Sequence, residues 1–100
     1  MISLQKNTEQ KLINYVSNFE GNFDKMINMI LGYRIEQLQK AINNLLTDFI
    51  FFEKKYSMKS NEFFKLFEEG KMGDDNSDFF QWSGEYEVYL DYQKELKSLL

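Results

Sequence analysis

Residues 51–87 read FFEKKYSMKSNEFFKLFEEGKMGDDNSDFFQWSGEYE, and the way this stretch stops and restarts decides the fold. A run of apolar residues at helical spacing reaches it from upstream and ends at Tyr56. Ser60 then offers an N-cap, with Glu62 placed in the first turn where a negative charge suits the helix dipole. A short helix over about 60–69 carries Phe63, Phe64, Leu66 and Phe67, and is too short to stand without docking. Gly70 falls where left-handed C-caps occur. The turn GKMGDDNSD at 70–78 ends in an N-cap at Asn76 or Ser77, launching a last helix over about 77–98.

Upstream, Leu12, Val16, Phe19, Phe23, Met26 and Ile30 recur at intervals of four and three, one stripe of a helix. Leu31, Ile35, Leu38, Ile42, Leu45, Phe49, Phe52 and Tyr56 form a second such run. The two join through Phe23, Ile27, Leu31 and Ile35 in steps of four, a stutter that locally relaxes a supercoil. The pattern predicts one long heptad-like helix over about 8–56. A bend or split near Gly21 or Gly32 is the alternative, because each glycine costs roughly 1 kcal/mol in a helix.

The chain has 100 residues, 43% of them hydrophobic and 17% aromatic, with no proline and five glycines. That composition predicts a single all-α domain over 1–100, either a coiled-coil-like dimer or a helical bundle. An unbroken helix over 8–56 would be roughly 70 Å long, more than two short helices can cover. A second copy is the expected cover, giving a homodimer with Leu31, Ile35, Leu38, Ile42, Leu45 and Phe49 as its seam. An intramolecular bundle with the first helix broken is the competing arrangement.

Zero cysteines and zero histidines remove disulfides, thiolate zinc sites, thiol catalysis and the usual neutral-pH proton shuttle. Asp74, Asp75, Asn76 and Asp78 lack the alternating ligands, central glycine and distal glutamate of an EF-hand. Carboxylate pairs such as Glu68 with Glu69, or Glu85 with Asp91, read as solvated faces rather than acid/base pairs. No metal, cofactor or catalytic group is therefore expected, and the chain reads as a non-enzyme. The start MISLQKNTEQK has no leader pattern and no apolar run approaches about 20 residues, so no membrane partner is expected and the cytoplasm is the expected compartment.

Charge is uneven. Residues 1–56 hold seven basic against six acidic side chains, and residues 57–100 hold five against ten. The acidic second half disfavours nucleic acid and suits a basic protein partner, while a solvated helix face that serves solubility explains it about as well. Glu68, Glu69, Asp74, Asp75, Asp78, Glu85, Glu87 and Asp91 would steer that partner, with Trp82, Tyr86 and Tyr89 as aromatic anchors. The competing reading of the aromatics is that they form the core.

The stretch 50–90 also resembles a group of small acidic prokaryotic antitoxin-like proteins associated with toxin–antitoxin gene pairs. The resemblance is carried by Phe52, Glu53, Lys54, Lys55, Tyr56 and Met58, then Glu62, Phe63, Phe67, Glu68 and Gly70. Gly73, Asp74, Asp75, Phe79 or Phe80, and Trp82 complete it. It implies a helical protein whose acidic, aromatic C-terminal region neutralises a basic nuclease-like toxin while the long helix dimerises. The N-terminal half lies outside the match and shows no DNA-binding domain. A second class of function is a structural or adaptor coiled coil, or a mobile-element inhibitor without a toxin partner, in which the seam itself is the function.

Overall fold

The computed structural model describes residues 6–17, 22–73 and 75–100, and their side chains apart from those of residues 6, 7 and 16. The fold is all-α. Among the described residues four helices follow in order: α1 (Lys6–Ser17), α2 (Phe23–Tyr56), α3 (Ser60–Glu68) and α4 (Ser77–Leu99). The single helix expected over 8–56 is thus two helices. α2 restarts with a cap of its own, since Asn22 Oδ1 accepts the Lys25 N–H at 3.2 Å. Gly21, near which one alternative break is expected, and Phe19 of the apolar stripe lie outside the described residues. Gly32 breaks nothing: it stands inside α2, and a Cβ there would meet no neighbour.

Two compact units divide the chain, residues 1–34 and 35–100. In the first, every described side chain of α1 is exposed, and Met26 is the buried apolar residue of α2.

The second unit holds the aromatic core. Phe49 and Phe52 from α2, Phe63 from α3 and Trp82 from α4 form its centre, with Leu45, Tyr56, Met58, Phe67, Met72, Phe79, Tyr86 and Tyr89 packed around them. Ring pairs climb α4 as they descend α2: Tyr56 meets Phe79 at 5.0 Å, Phe52 meets Trp82 at 5.4 Å, and Phe49 meets Tyr89 at 5.4 Å. The two helices are therefore antiparallel, with α3 closing the layer. Trp82 lies flat on Phe63, ring centroids 3.9 Å apart and planes 3° from parallel.

Each corner has a local cause. α2 ends with Ser57 in the left-handed region (φ 53°), which lets the Met58 N–H reach back to the Glu53 carbonyl. Gly70 (φ 73°) does the same for α3: its N–H bonds the Phe67 carbonyl, and the Lys71 N–H bonds that of Leu66. These are the paired bonds of a Schellman motif. At the start of α4, Asn76 Oδ1 accepts the Asp78 N–H at 2.9 Å.

The expected cap at Ser60 takes a different form. Ser60 is the first residue of α3, Lys59 is the capping position, and Lys59 contributes no side-chain bond. The carboxylate of Glu53 on α2 caps instead, with Oε2 accepting both the Ser60 N–H (2.9 Å) and the Ser60 hydroxyl (2.7 Å). An anion at a helix start favours the dipole as well as satisfying a free N–H.

Candidate functional site

The residues expected to face a partner separate into an interior and an exterior set. Trp82 is 0% exposed, sandwiched by rings, and its indole N–H donates to Ser60 Oγ at 2.9 Å. It presents no surface to a partner, so its expected role as a docking anchor gives way to that of a core residue. Tyr86 and Tyr89 are half-buried against Phe49, and Tyr86 also lies 4.8 Å from Phe64. Burial pushes the Tyr86 phenol above its ordinary value, and the neighbouring Tyr89 adds to this.

Asp78 is committed internally. Its Oδ2 accepts from Lys55 Nζ and from Tyr56 Oη, both at 2.6 Å. The Lys55 bond and then the Tyr56 bond hold its carboxyl below the ordinary value, while the same contact raises Lys55. Glu85 is half-buried on the side of α4 that meets α2. Its Oε1 accepts from Gln81 Nε2 at 3.2 Å, while Oε2 is buried with no donor in reach. Burial raises its pKa, Gln81 opposes this, and the Asp48 carboxyl on α2 adds to the rise. The carboxylate pairing therefore runs from Glu85 to Asp48 across two helices, not from Glu85 to Asp91 along one.

Outside stand Glu68, Glu69, Asp75, Glu87 and Asp91, all exposed. Glu69 pairs with Lys71 at 2.9 Å, a surface contact worth little. Asp74 lies outside the described residues. On α4 the positions 80, 84, 87, 88 and 91 follow one another at helical spacing, on the side away from Trp82. They present Phe80 (55% exposed), Gly84, Glu87, Val88 and Asp91, apolar contacts rimmed with acid. Phe80 also touches the edge of Phe67 on α3, with centroids 6.0 Å apart.

The expected dimer seam divides as well. Leu38, Ile42 and Phe49 are buried within the chain, and Leu31, Ile35 and Leu45 are half-buried. Phe49 in particular is spent on Tyr86 and Tyr89.

The sequence leaves Phe79 and Phe80 as alternatives, and gives no sign of Val88 or of the Glu53–Ser60–Trp82 chain of bonds. Phe79 is half-buried and Phe80 is exposed, a difference that the spacing of two adjacent phenylalanines does not reveal. Among the described residues no group of three or more acidic side chains is placed to hold a metal ion, and no helix is long and apolar enough to cross a membrane. Compared with protein-family models, curated proteins and solved structures, the chain gives no significant match.

Proposed function

We propose that this chain is a non-enzymatic, cytoplasmic protein–protein interaction module that captures a basic protein, and that it self-associates. The antitoxin-like proteins that residues 50–90 resemble supply the kind of partner: a basic, nuclease-like protein held inactive by the complex. One observation carries the reading. The aromatic core fixes α3 and α4 against α2 while turning Glu68, Glu69, Asp75, Glu87 and Asp91 outward together with Phe80 and Val88. Exposed acids steer a positive partner into encounter, and the apolar side chains between them hold it once docked.

A purely structural coiled coil draws less support, because Leu38, Ile42 and Phe49 of its seam are already buried within the chain.

The reading is tested by tagging the chain in its source cell and identifying what co-purifies. The wild type is compared with a variant carrying Glu68→Lys, Glu69→Lys, Glu87→Lys and Asp91→Lys. A basic protein is expected with the wild type, captured less well as salt rises and lost on charge reversal. Equal capture of that protein by both forms would refute the acidic-face reading.

A further inference from the structure

The first unit carries apolar surface that its own described residues leave open. On α1, Leu12 and Ile13 are exposed, and on α2 Phe23, Met29, Ile30 and Tyr33 are exposed, all six between 43% and 64%. Phe23, Ile30 and Tyr33 share one face of α2 with the buried Met26, following one another at three and four residues. Two aromatic and four aliphatic side chains, each about half open, leave on the order of 500 Å² of apolar surface. That is a large share of the roughly 800 Å² each partner contributes to a standard interface.

Stability makes the same demand. α1 has 12 residues, a length at which an isolated helix is marginal in water. Its helicity must come from burying its apolar stripe, yet Leu12 and Ile13 stand open.

Charge selects the occupant. Residues 1–34 carry four basic and three acidic side chains, net +1, while residues 35–100 carry eight and thirteen, net −5. Two copies meeting through the first unit confront nearly neutral surfaces. Meeting through the second would oppose two strongly acidic ones. A basic partner, conversely, gains nothing from the first.

We propose that a second copy of this chain covers the apolar stripes of α1 and of the first turns of α2. The homodimer is then built through the first unit and not through Leu38, Ile42 and Phe49. This rests on the self-association part of the reading above and is independent of the partner. The contact is isologous, the same stripes contributed by both copies, and it completes the burial that α1 lacks.

Sedimentation equilibrium of the full chain tests it. The wild type is compared with Ile30→Glu/Tyr33→Glu, with Leu12→Ser/Ile13→Ser, and with Phe80→Glu as a control in the second unit. All five positions are exposed in the single chain, so none of the substitutions opens its core; Trp82 fluorescence reports that the second unit keeps its fold, and far-UV circular dichroism that the helices of the first do. The expected result is a dimeric wild type and a dimeric Phe80→Glu form. Both first-unit variants should dissociate about 100-fold more readily or more. A monomeric wild type overturns the proposal, as does a dimer that survives both first-unit variants or is lost with Phe80→Glu. Capture of a basic partner is read separately, so neither result decides that question.

Discussion

Ser60 does two things with one hydroxyl: it accepts the Trp82 indole N–H and donates to Glu53. Trp82 is fully buried, so Ser60→Ala strands a donor where water cannot reach it, and Glu53 keeps only the backbone bond. A stranded buried donor costs about 1–3 kcal/mol. Ser60→Ala should therefore destabilise the fold by about 2 kcal/mol, read from urea unfolding followed by Trp82 fluorescence. A loss below a few tenths would mean that the indole finds another acceptor. Glu85 predicts the opposite sign. Its carboxyl titrates above the ordinary 4.5 in the fold, because burial and Asp48 disfavour the charge. Stability is then fully present below the unfolded value and falls as pH rises through the raised one. Glu85→Gln should stabilise the chain at neutral pH and flatten that decline, read from urea unfolding at pH 5 and pH 7. Asp78 titrates on the other side. Its lowered carboxyl contributes stability above the ordinary 3.8 that is lost as pH falls through the depressed value.

Helix ends show which corners can be read from sequence and which cannot. Gly70 was legible because a helix followed by glycine marks the one residue type at ease with positive φ, and α3 does close on it. Ser57 was not, since serine carries no such signal, although it adopts φ 53° and closes α2 with the same reach-back bond. Ser60 reads as a local cap because sequence shows only neighbours, whereas its acceptor, Glu53, lies seven residues upstream on another helix. The two corners make a paired prediction. Gly70→Ala should cost about 1–2 kcal/mol, the Cβ penalty of the left-handed region. Ser57→Gly should gain a smaller amount, up to about 1 kcal/mol, since relief of strain is offset by the freedom glycine adds to the unfolded chain. Thermal melts of both variants check the signs. If Ser57→Gly destabilised the chain, the strain at that turn would be compensated by contacts of the serine side chain.

Across the whole chain, periodicity made all-α legible, but it could not assign each stripe an occupant. Leu38, Ile42 and Phe49 fit a dimer seam and an internal core equally well, because both demand the same apolar spacing. Only the antiparallel α4, brought back by the α3 corner, decides that Phe49 faces Tyr86 and Tyr89. The same limit applies to Trp82, whose amphipathic ring suits an interface or a core until Phe63 is seen lying flat against it. Stability is consequently uneven along the chain, concentrated where the rings stack and low where α1 lies exposed. Hydrogen exchange on the full chain should resolve this. Amides of residues 49–56, of α3 and of the first half of α4 should open only with global unfolding. Those of α1 should exchange at least about 100-fold faster at low protein concentration. If a second copy covers the first unit, protection of α1 should rise with concentration while that of the ring-bearing segments stays constant. Ile30→Glu/Tyr33→Glu should abolish the rise. Protection of α1 equal to that around Trp82 at every concentration would mean that the short helix draws its stability from within the single chain, and would remove the need for a second copy.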